Sequence, residues 1–381
     1  MKIGIEVQRL FRDKKFGIEI AAHELINELC RLKTNHQFII LTAKANSENQ
    51  IKNYPDFNIR LVKGKLFFDF EQIFLPIAAS YEHLDILHCT GNTTPLYCAK
   101  PVIQTLHDII FLDPIPASDS AYQRYGNLYR RFIVPRVCKK SKAIITVSHY
   151  EKKRMVERLK IDDRKVHVIH NGVSSQFKKT TDHQTLTNTR IKYGLPDDFI
   201  LFLGNTSTRK NAERVLEAYT LYAQRSPKPL ALVTPGLPQD FVTKHLKKTG
   251  AAQFENQVYS TGYIEQDDLV HLYSLSKLFL FPSLSEGFGM PVLEAMACGV
   301  PVITSNLSAL PEIAGNAGKL IDPYNVKTIS EAMLELLESS NLLEKLRTEG
   351  LKHVQNFQWK YAAEKTIELY ERVYHETSKS R

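Results

Sequence analysis

Short apolar runs rich in β-branched residues alternate along this chain with stretches whose apolar residues recur every three to four positions. "KIGIEV" opens as a strand, and "EIAAHELINELCRL" follows with helical spacing. "HQFIILTA", "LDILHCT", "PVIQTLHD", "KAIITVS" and "KVHVIHNGV" then read as further strands. Around 175–195 the pattern lapses into polar residues, "SSQFKKTTDHQTLTNTR", which reads as a linker or surface loop. The alternation restarts with "DFILFLGN" and "NAERVLEAYTLYAQ", then "LALVTPG", "QDFVTKHLKKTG", "QVYSTGY", "QDDLVHLYSLS", "KLFLFPS", "PVITS" and "GKLIDP". "WKYAAEKTIELYERVYHE" closes as a long amphipathic helix. Strands alternating with helices predict parallel, doubly wound sheets, hence an α/β protein. The restart predicts two such domains, at 1–175 and 190–358, with 359–381 as a final helix.

Length agrees with that division, because 381 residues exceed what one core normally holds. The start, "MKIGIEVQRLFRDKK", lacks the apolar segment of a secretory signal, and no apolar run approaches a membrane span. Five scattered cysteines without C-x-x-C spacing predict reduced thiols and a cytoplasmic protein with no zinc site. The net charge of +9 is partly gathered between Arg124 and Lys142, a stretch without a single acid. That stretch fits a solvated helix face, an anionic membrane surface or a pyrophosphate-bearing substrate. Nucleic acid ranks last, since no nucleic-acid module accompanies the charge.

Open α/β sheets bind ligands outside the carboxyl ends of their strands, so the loops after strands carry the candidate chemistry. "GNTSTRKN" begins at Gly204 and places Arg209 and Lys210 just before a helix, an arrangement suited to a diphosphate. "SEGFGMPVLEAMACGVPVITS" holds Glu286 and Glu294 with seven residues between them, Gly287, Phe288 and Gly289 among these. Pro291 suits a first helical turn, and Glu294 is expected within that turn. Carboxylates are acceptor-only groups, fitted to sugar hydroxyls.

The spacing Glu286-x7-Glu294, together with "GNTSTRKN", "TGYIEQDDLVHLY", "ITVSHYEKKRMVE", "TLHDIIFLDP" and "FGIEIAAHEL", resembles the retaining glycosyltransferases of family 4 over nearly the whole chain. That resemblance implies the GT-B fold, two Rossmann-like domains facing across a cleft, with the N-terminal domain binding acceptor and the C-terminal domain binding donor. The final helix is implied to pack back on the N-terminal domain. Arg209 and Lys210 are implied to hold the donor diphosphate, Glu294 the ribose and Glu286 the transferred sugar. The backbone at Phe288 and Gly289 would touch sugar and phosphate, Ile264 would lie near the base, and His107 near the donor sugar. Gly17 would open a loop at the reaction centre. Many members carry two adjacent glycines there, whereas here Phe16 precedes a single glycine, which bears on the acceptor. The implied reaction moves a sugar from a nucleotide-diphosphate sugar to a glycan or lipid-linked acceptor, with retention and without cofactor or bound metal. The motifs lean toward mannosyl- or rhamnosyltransferase-like members of bacterial surface polysaccharide synthesis, cytoplasmic or peripheral at the inner face of the membrane. A sugar-nucleotide epimerase and a catalytically inactive binding subunit are the alternatives. A glycosidase would leave the Arg–Lys pair unexplained, and no G-x-G-x-x-G follows the first strand as a dehydrogenase requires.

Overall fold

A computed structural model describes residues 1–7, 17–43, 58–64, 66–113 and 121–379, with the side chains of 121–123 excepted. Phe16 therefore lies outside the described residues. Contacts divide the chain into two compact units. One comprises Met1–Gly172 with Trp359–Arg381, and the other Val173–Gln358.

The first unit is built on seven parallel strands: β1 (Lys2–Glu6), β2 (Gln37–Ala43), β3 (Ile59–Val62), β4 (Ile86–Cys89), β5 (Val102–Thr105), β6 (Ala143–Thr146) and β7 (Val166–Val168). Their order is β3-β2-β1-β4-β5-β6-β7, with Ile5 of β1 beside Ile40 on one side and His88 on the other. Strands covered on both faces should be apolar throughout, and β1, β4, β5 and β6 are buried along nearly their whole length. The Trp359–Lys379 helix belongs to this unit and packs on the Gly17–Arg31 helix.

A buried polar contact fastens that last helix to the sheet. His88, fully buried in β4, lies 2.6 Å from the Tyr370 hydroxyl through Nδ1 and 2.7 Å from Thr105 Oγ1 through Nε2. Burial, aided by nearby His107, pushes the His88 pKa down to about 3, so the ring is neutral at ordinary pH.

The second unit carries β8 (Phe199–Phe202), β9 (Ala231–Val233), β10 (Val258–Tyr259), β11 (Leu278–Phe281), β12 (Val302–Ser305) and β13 (Lys319–Ile321). The order β10-β9-β8-β11-β12-β13 is again parallel. Strand numbers run one way from β8 and the other way from β11. These neighbours therefore flank a topological switch point, where their loops part and leave a crevice.

One expectation needs correction. The polar stretch read as linker contains a helix, His183–Tyr193. Asp182 caps it by accepting from the Gln184 and Thr185 amides, and Gly194 closes it in the left-handed region. It has no apolar stripe, and Thr189 is its one buried residue, lying 3.2 Å from His271 Nδ1. Capping fixes this helix where hydrophobic periodicity is silent.

Tyr370→Phe keeps the ring but leaves the buried His88 Nδ1 without its partner. Urea denaturation should show a loss of about 1–3 kcal/mol. An unchanged midpoint would mean that this hydrogen bond does not hold the helix.

Candidate active site

Both motif loops of the second unit leave the switch point. After β8 the chain forms a short 3-10 turn, Thr208–Lys210, and Asn211 then takes a left-handed conformation before the Ala212–Arg225 helix. Asn211 is buried, and its amide donates to Pro282 O at 3.1 Å and Pro323 O at 2.7 Å. The Leu284 amide donates to Arg209 O at 2.8 Å. The loop after β8 is thus tied to those after β11 and β13.

This tying brings three predicted residues into direct contact. Arg209 Nη1 lies 2.6 Å from Glu286 Oε2, and Lys210 Nζ lies 2.8 Å from Glu286 Oε1. Arg209 also donates to Ser285 O at 3.3 Å, and the Lys210 ammonium stands 4.5 Å over the Phe281 ring. The Glu286 amide donates to Ser308 Oγ at 3.1 Å. Burial would raise the Glu286 carboxyl, but Lys210 and Arg209 outweigh it and hold the pKa below the ordinary value. Burial pulls Lys210 down against the attraction of Glu286. Two cations on one carboxylate favour the ionised glutamate, and that is the direction the geometry supports. The structure thus pairs the diphosphate-binding candidates with the sugar-binding candidate.

Glu294 stands in different surroundings. Gly289, at φ +115°, is the residue before the Met290–Ala297 helix, and a Cβ there would lie 2.7 Å from Leu310 Cδ2. The helix therefore starts at Met290, and Glu294 lies just past the first turn rather than within it. It is buried, with Tyr273 donating its hydroxyl to Oε2 at 3.0 Å. Burial raises its pKa to about 7, against the pull of that hydrogen bond. One carboxylate is thus ion-paired, while the other is poised near neutrality by desolvation.

The remaining candidates fall as follows. Gly287, half-buried, and Phe288, buried, complete the loop, with the Phe288 ring 6.2 Å from Phe357. Gly204 lies two residues past β8, and its carbonyl would lie 2.7 Å from a Cβ on Gly236, whose φ is +83°. Ile264 is half-buried in the loop before the Gln266–Leu275 helix, the helix that carries Tyr273.

His107 and Gly17 belong to the first unit. Gly17 is the exposed first residue of its helix, with no atom of the described residues within 4 Å of where a Cβ would stand. His107 follows β5 and is buried. Its Nε2 donates to the Thr90 carbonyl at 3.1 Å, and its amide donates to Asn92 Oδ1 at 2.7 Å. Burial lowers its pKa, against Thr90, Asp108 and Glu19, so the neutral ring offers Nδ1 as an acceptor. It lines a pocket with Thr90, Thr105, Asn171 and Trp359.

Sequence reasoning missed Asn211, Tyr273, Ser308 and Gly236. Asn211 and Tyr273 stood inside motif segments already singled out, but only packing reveals what they hold.

Two family models match this chain. Glycosyl transferases group 1 matches residues 187–353, and Glycosyltransferase Family 4 matches residues 17–177. Residues 187–353 thus carry a glycosyl transferases group 1 domain, and residues 17–177 a Glycosyltransferase Family 4 domain. The chain is 32% identical over 253 residues to the serotype-specific mannosyltransferase WbdA of Escherichia coli, covering 64% of itself and 31% of WbdA. It is 31% identical over 233 residues to the O-antigen chain mannosyltransferase B of Escherichia coli, with 60% of each chain covered. It thus spans about a third of the first relative's length and about three fifths of the second's. The crystal structure of Anabaena Alr3699/HepE in complex with UDP and glucose aligns with a TM-score of 0.74 at 16% identity, covering 98% of this chain and 100% of that one. At such identity the likeness speaks for the GT-B fold alone.

Glu294 supplies a pH test of the site. A carboxyl raised on folding favours the protonated native state, so its contribution falls as pH climbs from the ordinary carboxyl value to about 7 and is constant above. Glu294→Gln removes that dependence. Urea midpoints should show the variant gaining on wild type between mildly acidic and neutral pH, by up to roughly 3 kcal/mol. Parallel pH profiles would show that Glu294 is ionised throughout.

Proposed function

We propose that this protein transfers a hexose, with mannose first among the candidates, from a nucleotide-diphosphate sugar to a glycan or lipid-linked saccharide, with retention at the anomeric carbon. The observation that carries the proposal is the pair Arg209 and Lys210, held by the Asn211 anchor at a sheet switch point beside a glycine-bearing loop. Such a pair suits a leaving diphosphate. The bond from the anomeric carbon to the phosphate oxygen breaks, the diphosphate takes the electron pair, and two preorganised cations meet the growing charge. They would do so without a divalent ion. The departing phosphate oxygen accepts the proton of the acceptor hydroxyl, which then bonds to the same face of the sugar. Glu294 accepts the ribose hydroxyls, while Gly287, Phe288 and Gly289 lie along sugar and phosphate and Ile264 along the base. His107 and Gly17 enter the proposal through the family resemblance, His107 at the donor sugar.

The names of the relatives support mannose and bacterial polysaccharide synthesis. A lipid-linked acceptor would place the protein on the cytoplasmic side, peripheral to the membrane. No described helix is long and apolar enough to cross one.

Replacing Arg209 and Lys210 together with alanine should weaken nucleoside-diphosphate binding by a few kcal/mol, on the order of two charge-assisted hydrogen bonds. Binding of the bare nucleoside should barely change. Glu286→Gln removes the carboxylate that now competes for both cations, so it should leave GDP or UDP binding intact or tighter while turnover falls. Calorimetry beside a transfer assay with GDP-mannose separates these effects. Equal losses for nucleoside and diphosphate in the first variant would overturn the diphosphate assignment.

Ribose hydroxyls donating to Glu294 would favour its ionised form and pull its pKa back down from about 7. Nucleotide binding at a pH just below that value should therefore release a proton. Binding heats in two buffers of different ionisation enthalpy measure it, and no buffer dependence would overturn the ribose role.

A further inference from the structure

Two neighbouring helical segments of the first unit turn apolar residues outward, where a water-facing helix normally carries polar ones. One is the stretch of three contiguous pieces Phe67–Asp69, Phe70–Phe74 and Leu75–Tyr81, whose middle piece is a π-type turn. Its inner face buries Phe70, Leu75 and Ala79. Its outer face presents Ile73, Ile77 and Tyr81, four residues apart on one line, with Leu66 and Phe68 at its start. The other is the basic helix Ala121–Lys140. It buries Ile133, Val134, Val137 and Cys138, and it exposes Tyr125, Leu128 and Phe132. All eight outward residues are between 48% and 81% exposed.

The two segments lie side by side. The Tyr129 ring meets Phe67 at 5.6 Å and Phe68 at 6.3 Å, and the Tyr129 hydroxyl donates to Glu71 at 2.6 Å. The outward residues therefore share one surface, larger than single exposed side chains would make. Cations border it. The Arg136 guanidinium stands 3.7 Å over the Phe132 ring, and the Lys140 ammonium stands 3.7 Å over the exposed Tyr97 ring, with exposed Lys139 beside it. Of the described acids in these segments, Asp69 is half-buried and accepts from the Leu66 and Phe70 amides. Glu71 is buried, and Glu82 is paired with Lys2 and Arg60.

We propose that this two-helix face docks on an anionic lipid bilayer, its outward aliphatic and aromatic side chains entering the headgroup boundary and Arg136, Lys139 and Lys140 meeting lipid phosphates. This is more than the electrostatic adsorption that the charge of the stretch alone suggests. Arg131 spends its guanidinium on the Phe111 and Asp113 carbonyls, and Tyr129 points inward, so the apolar line carries the contact. A protein partner or second copy would need acids to meet the bordering cations, whereas an anionic leaflet supplies them everywhere. The proposal rests on the transferase reading only for its purpose, because docking needs no donor.

The test is sedimentation of the full chain with phosphatidylcholine vesicles, with and without phosphatidylglycerol, at low and high salt. Binding is expected on the anionic vesicles, reduced but not abolished by salt. Ile77→Asp with Phe132→Asp should lower the partition coefficient about tenfold or more, with Ile77→Ser as the milder variant should the pair fail to fold. Arg136→Glu with Lys139→Glu should erase the preference for anionic lipid. Calorimetry with nucleotide should be unchanged in all of them, which keeps failure of docking distinct from failure of the transferase reading. Absence of vesicle binding at low salt would overturn the proposal, as would aspartate variants that bind like wild type. So would a concentration-dependent dimer, abolished by those variants, in a protein that ignores vesicles.

Discussion

Both hydrogens of one side-chain amide hold the candidate site together. Asn211 spends them on two prolyl carbonyls, Pro282 and Pro323, in the loops that follow different strands of one sheet. Parallel strands at a switch point send their loops apart, and nothing in the sheet itself would hold those loops at contact distance. A buried asparagine in the left-handed region, costly for most side chains, meets that need because its short polar arm bonds locally. Arg209 and Lys210 stand immediately before this anchor, so their reach to Glu286 follows from it.

From there the two glutamates part in character. Glu286 is charged because two cations overrule its burial, and Glu294 is poised because only a tyrosine hydroxyl answers its burial. Carboxylates eight positions apart thus offer one permanently ionic group and one that takes or gives a proton near neutrality. The donor site proposed above, with phosphate and sugar hydroxyls side by side, would have use for both.

Most strands were legible because doubly covered parallel strands leave near-continuous apolar runs, as in "FILF" and "LFLF". The motif loops were legible because they follow those runs directly. The His183–Tyr193 helix was not, since periodicity was the signal sought and this helix has none. Its Asp182 and Gly194 caps were the available cue. Glu294 falls just past the first turn instead of within it because the helix starts only at Met290, after the left-handed Gly289. Tyr273 was hidden because a buried tyrosine on an amphipathic helix reads as core until its hydroxyl finds a carboxylate. The outward apolar lines of 67–81 and 121–140 were hidden for a related reason: a helical period reveals a face but not which side of it meets water.

The chain leaves its first unit after Gly172 and returns at Trp359, with the Val173 amide bonded to Phe357 O beside the return. On the ribosome, then, the first sheet emerges early but waits through the making of the entire second unit for its last helix. Throughout that interval His88 lacks the Tyr370 hydroxyl, and the Gly17–Arg31 helix lacks its packing partner. A nascent first unit must therefore persist as an unfinished body with an apolar seam open to chaperones and proteases. Loss of the final helix through a premature stop would leave that seam open permanently, in a chain whose second unit could still fold.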